Sequence, residues 1–464
     1  MAITTLTMRK TRETRLLYII ARSVMILVAS LAFTFCEKDP DLKIDPADEG
    51  IKYNPRGGRE PIEETRRVLL FYECGFNSLN YDLSRNMEEE LPAGLIPGGG
   101  RHENVLLVFS KLALNSNYKD VPSYLRRLYK DSEGNVVSDT LKTYPASTVA
   151  TSSATMREVL SLVKSLFPAK GYSLEYSSHG SGWLPPGYYN SPSNFESSHR
   201  SDGRKMSRRS IAYEIPTDIM ERDDPYAGMV RSIGQDKMSS GDVEMTVAEF
   251  VDGIPFHLDF LLFDMCFSGG IEVAYALKDK ADFLGISPAE VLAAGMYDYT
   301  KIADFLLKGP TPDLQGLFKD SFDRYNKQSG DYRSSTVTLL RTDGLDNLAE
   351  VCKDLISAYS DSLAHAPASR IQGYFRQNRH YFYDLEDIFT KSGVSEADMA
   401  SLSRAISDCV VYRAATPSFI NSTGSGFDIK TYSGLSMYLP VAGTSLLDSY
   451  YLNEPWNKAV GLVK

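Results

Sequence analysis

The chain has 464 residues, a formal net charge of −10, 43% hydrophobic residues and 24% charged residues. That length suits one large core with an appended subdomain, or two to three domains, and 28 Tyr with 21 Phe supply enough apolar surface to exclude disorder of the whole chain. The acidic balance excludes a general nucleic-acid binder, whose phosphate contacts need a basic surface.

Residues 1–36 read as an export signal. Arg9, Lys10, Arg12 and Arg15 precede an apolar run over residues 16–35, and Cys36 follows at once. A cysteine in that place points to a bacterial lipoprotein anchored to the membrane through a lipid on Cys36, although Phe35 stands where such signals prefer a small residue. A transmembrane anchor would need about 20 clean apolar residues, and Arg22 interrupts the run. Residues 37–65, rich in Asp, Pro, Gly and Glu, read as a flexible tether.

Ordered structure is expected from residue 66. RRVLLFYECG (66–75) reads as a buried strand, 77–94 as a helix, NVLLVFS (104–110) as a second strand and 115–145 as a hairpin-like region. TSSATMREVLSLVKSLFPA (151–169) has helical spacing, with Ser152 or Ser153 as its cap. YSLEYSSHG is the third strand, ending at His179. Residues 184–243 then form a polar insertion, too long for an ordinary connection. MTVAEFVDGI reads as a helix, FHLDFLLFDMC (256–266) as the most apolar strand, and IEVAYALKDKADFL (271–284) as a helix. After residue 300 the pattern weakens: STVTLLRT (335–342) and GLSMYLP (434–440) read as strands, and 345–364 as a helix. We divide the folded part into a core over 66–300 and a C-terminal α/β part over 301–464. Strand–helix alternation predicts an α/β fold with a mostly parallel sheet covered on both faces. In such sheets functional groups gather at the carboxyl ends of the strands.

His179 and Cys266 both stand at such ends, and both are followed by small residues. A cysteine nucleophile needs a base beside it to favour the thiolate, and donors for the oxyanion. His179 supplies the base, and the N–H groups of Gly180 and Cys266 are the candidate donors. Taken singly, the bland readings are a small core cysteine and a satisfied histidine. Rival chemistries fit worse: HExxH and a GxSxG strand-to-helix turn are absent, and Glu272 stands where a cysteine phosphatase needs arginine. The five cysteines form no CxxC pair, so zinc-ribbon and thioredoxin-type motifs are absent. No metal site is read, and no EF-hand loop is present, which leaves Ca²⁺ open as a cofactor. Cys74, Cys352 and Cys409 read as packing residues, and Trp183 as a cleft wall or a loop anchor.

These residues resemble the clostripain family of cysteine peptidases, relatives of caspases and gingipains. The resemblance rests on YSLEYSSHG and FLLFDMC, supported by VLLFYECGFNSLN, by CFSGGIEVAYALKDKADFLGIS and by GLSMYLP, and runs from about residue 66 to the C-terminus. It implies a caspase-like α/β/α sandwich and peptide hydrolysis through an acyl-enzyme, with Cys266 as nucleophile and His179 as general acid/base. It also implies that Asp264 lines the S1 pocket and selects Arg or Lys at P1 by a charge-assisted contact; the alternative for Asp264 is a strand residue paired internally. Two features depart from the family pattern: FSGG after the cysteine, and the long insertion. Arg204, Lys205, Arg208 and Arg209 in that insertion are candidate self-processing sites. The expected partners are therefore peptides or proteins with basic P1 residues. A non-catalytic surface binding protein on a peptidase fold is the main alternative function; an enzyme with another acyl substrate is a third.

Overall fold

The computed structural model describes residues 66–100, 102–113, 119–189, 192–193, 233–376, 381–422 and 424–464. The export signal, Cys36, the tether and the basic quartet at Arg204, Lys205, Arg208 and Arg209 lie outside the described residues.

A nine-stranded sheet organises the fold, built from β1 (Arg67–Gly75), β2 (Val105–Leu112), β3 (Ser123–Lys130), β4 (Val136–Tyr144), β5 (Gly171–Ser177), β8 (Leu258–Asp264), β9 (Ala281–Ile286), β10 (Thr336–Arg341) and β12 (Val410–Ala415). β6 (Ile233–Met238) and β7 (Gly241–Met245) form a separate hairpin, and β11 (Tyr383–Asp384) pairs with Ser436–Met437. The strand order is β12-β10-β9-β8-β5-β1-β2-β3-β4. The five strands from β9 to β2 run parallel; β10 and β12 on one side, and β3 and β4 on the other, are antiparallel additions. The C-terminal part thus contributes strands to the same sheet as the core.

Alternation along each strand assigns two layers. Val68, Leu70, Tyr72 and Cys74 of β1, Leu174 and Tyr176 of β5, and Leu261 and Phe263 of β8 face one apolar cluster. The helices Ser153–Leu166 (α1), Val247–Gly253 (α2), Ile271–Ala276 (α3), Leu345–Ala358 (α4) and Glu396–Cys409 (α5) contribute buried residues to that cluster. Leu69, Phe71, Phe260 and Leu262 face the opposite cluster with Met87, Tyr297, Tyr299, Leu317 and Phe318. Each fully buried Leu or Phe contributes roughly 1.5–3 kcal/mol of transfer free energy, so this pattern fixes the sheet register and with it the strand ends. The local signals agree: Ser152 caps α1 by accepting from Thr155 N–H at 3.2 Å, and Thr246 with Glu249 closes a capping box on α2.

One expected element is corrected. The helix expected over 271–284 stops at Ala276, and Ala281–Ile286 forms β9. The Leu277–Lys280 turn ends the helix, and β9 fills the space between β8 and β10 with Leu284 and Ile286 fully buried. Pairing on both edges overrides the helical spacing of that segment. The helix expected over 77–94 is present but contains a π-helical turn at Asn86–Glu90.

Candidate active site

β5 and β8 are parallel neighbours, and their last residues, Ser177 and Asp264, are register partners. His179 and Cys266 each follow two residues later, so the two leave adjacent strands at the same level. The turns that carry them are in contact: a Cβ on Gly180 would lie 2.7 Å from Cys266 O and would also strike the Met265 side chain. Only glycine fits there.

His179 is 6% exposed, and its Nε2 lies 2.8 Å from Ser78 Oγ. Its carbonyl accepts from Gly234 N–H at 2.9 Å, which ties the His-Gly turn to the β6–β7 hairpin. Ser78 is presented by the turn after β1, and Asn77 organises that turn. The Asn77 side-chain amide donates to Cys74 O and Gln235 O, while its Oδ1 accepts from Leu79 N–H. Trp183 packs edge-on against Tyr438 and Tyr451, with centroids 4.8 and 5.0 Å away, so it anchors the loop in the core.

Cys266 begins a turn held from several sides. Phe267 adopts φ 54°, a left-handed conformation that a bulky residue rarely takes. Its N–H donates to Ala289 O at 2.9 Å, and its ring stacks on Phe382 with a centroid separation of 4.4 Å. Gly269 N–H donates to Ser287 O, and Gly269 O accepts from Ser436 N–H. The Sγ of Cys266 is engaged by Val291: it accepts from Val291 N–H at 3.2 Å and points its own proton at Val291 O, 3.6 Å away. Burial first, and then the Glu290 carboxylate, push this thiol up to about 12. Glu290 is itself held by a buried ion pair with Arg376, Nε to Oε2 at 2.5 Å. Cys74, Cys352 and Cys409 are buried free thiols.

Asp264 is 7% exposed. Its Oδ1 accepts from Met296 N–H at 2.8 Å and its Oδ2 from Tyr299 O–H at 2.8 Å. Burial is the largest cause that raises its carboxyl to about 6. Two further acids on the same face were not singled out from sequence: Glu73 and Glu175, both fully buried. The signal was available, because each interrupts an apolar strand run, where an unpaired acid is rare. Ser78 had only a weaker signal, its place in the loop after a central strand.

Among the described residues no group of three or more His, Cys, Asp or Glu is arranged to hold a metal ion. Among them, too, no helix is long and apolar enough to cross a membrane.

A thiol and an imidazole carried on touching turns, at the carboxyl ends of adjacent parallel strands in a helix-covered sheet, define a caspase-like cysteine peptidase architecture. The clostripain family model matches residues 220–454, just over half of the chain, and the chain belongs to that family of cysteine proteases. Solved structures agree on the fold. An inactive zymogen C11 protease from Parabacteroides distasonis is 25% identical, with a TM-score of 0.63 over 86% of this chain and 99% of that one. A secreted C11 cysteine protease from Bacteroides thetaiotaomicron is 22% identical, with a TM-score of 0.65 over the same shares. The Bacteroides thetaiotaomicron protease in complex with an irreversible peptide inhibitor gives 22% and 0.64, again over 86% and 99%. No curated protein matches the chain.

Proposed function

We propose that the protein is an exported cysteine endopeptidase that cuts after Arg or Lys through a Cys266–His179 dyad. The packing of the Gly180 turn against Met265 and Cys266 carries this reading, since it brings the turns after the two strands into contact.

In the reaction the thiol leaves Val291 by side-chain rotation and gives its proton to His179 as Sγ attacks the scissile carbonyl. The N–H groups of Gly180 and Cys266 receive the oxyanion; neither donates a hydrogen bond among the described residues. His179 then protonates the leaving amine as the C–N bond breaks, and water, deprotonated by His179, hydrolyses the thioester. In this reading Nδ1 is the base, with Nε2–H donating to Ser78 Oγ 2.8 Å away. Burial keeps the thiol protonated in the absence of substrate, so its proton passes to His179 as Sγ attacks. Asp264 is the carboxylate that meets the P1 cation, with cleavage in the insertion at Arg204, Lys205, Arg208 or Arg209 as self-processing. The basic, apolar N-terminus ending at Cys36 supports export and a lipid anchor.

The test is hydrolysis of matched fluorogenic peptides with Arg, Lys, Asp or Leu at P1 by the protein and by Cys266→Ala. Cys266-dependent cleavage confined to Arg and Lys supports the reading. Cleavage elsewhere removes the Asp264 assignment, and activity that survives Cys266→Ala removes the dyad.

A further inference from the structure

We propose that Arg376 and Phe382, in the C-terminal part of the chain, are positioning residues for the dyad. Arg376 holds the Cys266 turn through Glu290, and Phe382 touches both that turn and the one that follows His179. The inference rests on the Cys266–His179 reading above and deepens it by adding the segment that keeps the two turns together.

The loop after β9 runs along the Cys266 turn. Ser287 N–H donates to Ser268 Oγ at 3.0 Å, and Ser287 O accepts from Gly269 N–H at 2.7 Å. Ala289 O accepts from Phe267 N–H at 2.9 Å, and Val291 N–H reaches Cys266 Sγ at 3.2 Å. Glu290 stands between these last two contacts, so whatever holds its side chain also holds the backbone on either side. That hold is Arg376, whose Nε and Nη2 meet Oε2 and Oε1 at 2.5 and 3.1 Å. A two-pronged contact of this kind fixes orientation as well as distance. With side-chain exposures of 3% and 9%, the pair is little screened by water. Breaking such a pair leaves an uncompensated charge inside the protein, and here that charge would lie one residue from the contact with Sγ.

Phe382 belongs to the same excursion of the chain. Gly373 pairs with Tyr383 in an antiparallel bridge, and Tyr374 N–H donates to Phe382 O at 2.9 Å. The Phe382 ring stacks on Phe267, with centroids 4.4 Å and planes 11° apart. It also meets the turn after His179: a Cβ on Gly182 would lie 3.2 Å from Phe382 Cε1 and 2.7 Å from Phe267 O. One ring thus touches both turns. Phe267, at φ 54°, needs support of this kind, because a strained backbone persists only where its surroundings impose it.

The charges around the thiol distinguish positioning from plain packing. Burial and then Glu290 push Cys266 up, Asp264 adds to this, and Arg376 draws it down; His179 faces it from the turn after β5. The two members of the ion pair therefore act on Sγ in opposite directions.

The experiment measures iodoacetamide alkylation of Cys266 against pH, by mass spectrometry of its peptide, together with kcat and KM. It uses the full chain and the variants Arg376→Gln, Arg376→Lys, Glu290→Gln and Phe382→Leu. Arg376→Gln leaves the Glu290 carboxylate unpaired beside the thiol. It is expected to move the alkylation profile to higher pH and to lower kcat about tenfold or more, with KM within about twofold. Glu290→Gln leaves the guanidinium and is expected to move the profile to lower pH. Arg376→Lys keeps the charge but not the fork, so the profile should stay while kcat falls about threefold. Phe382→Leu changes no charge and should lower kcat about tenfold with an unmoved profile. If neither glutamine variant folds, kcat of Arg376→Lys and Phe382→Leu decides alone. Profiles that stay put or shift in the same direction in the two glutamine variants overturn the positioning role, as does a kcat within about twofold of the parent in Arg376→Lys and Phe382→Leu. Turnover that survives Cys266→Ala overturns the dyad itself, and this inference with it.

Discussion

The two faces of the three central strands differ in the polar groups that they bury. On the face covered by α1 to α5, β1 stays apolar to its end with Val68, Leu70, Tyr72 and Cys74, and the Tyr72 hydroxyl finds Ala150 O at 2.8 Å. On the other face β1 and β8 present Leu69, Phe71 and Leu262 before Glu73 and Asp264, while β5 presents Ser173, Glu175 and Ser177, with Glu175 level with Phe71 and Leu262. Strand alternation makes the two faces equivalent in geometry, so the change in chemistry is a property of these residues alone. Carboxyls taken out of water pay desolvation, and Glu175 is pushed up to about 8 by burial and then by Asp264. One face is wholly apolar in its packing; the other buries acids at a cost in stability.

Substitutions should separate the two. The largest effect belongs to the turn between the faces: Cys266→Ala is expected to lower kcat by about three orders of magnitude or more, with an unchanged circular dichroism spectrum. Next comes the apolar face. Leu174→Ala is expected to cost about 2–5 kcal/mol in denaturant unfolding, because Leu174 is fully buried in that layer, while the ratio of Arg to Leu turnover stays constant. A changed ratio would show that the faces are not independent.

This division was partly legible in the sequence. The continuous apolar runs of β1, β5 and β8 gave the parallel core, because strands buried on both faces need little alternation. The placement of His179 and Cys266 just past strand ends was legible because both end such runs. β9 was not, since the spacing of ADFLGI suits a helix until β8 and β10 bracket it. Glu73 and Glu175 stood in plain view, yet only the register brings them beside Asp264, and residues 175 and 264 are brought together by pairing that no local pattern encodes. The hold of Val291 on the thiol is likewise tertiary, for it joins two turns on different strands.

The buried acids should also betray themselves through pH. Glu175 has a folded-state pKa of about 8, above its unfolded value, so its neutral form is the one that the fold favours. Its contribution is complete below the unfolded pKa of about 4.3 and is lost as pH rises through 8. Glu175→Gln mimics the neutral acid and keeps an oxygen for Ser177. At pH 9 this variant should therefore be more stable than the parent, by up to about 5 kcal/mol, and at pH 4 the two should be equal. Thermal melts across that range decide it: a variant destabilised at pH 9 would mean that the carboxylate is compensated in the folded protein and that burying it carries no stability cost.

The smallest expected effect tests how the imidazole is held. Ser78 comes from the turn after β1, one strand beyond His179, and contributes a single hydroxyl 2.8 Å from His179 Nε2. Ser78→Ala removes no charge and little volume, so stability should change by less than about 1 kcal/mol. What it removes is the acceptor that favours Nε2–H, and without it the imidazole spends more time in the tautomer whose Nδ1 is already protonated. The expected result is a drop in kcat of about tenfold with an unchanged KM, and Ser78→Thr, which keeps the hydroxyl, should recover most of it. A rise in KM at constant kcat would instead place Ser78 in substrate binding. Equal losses in the alanine and threonine variants would make it a packing residue of the turn that Asn77 organises, and His179 would then owe its tautomer to other contacts.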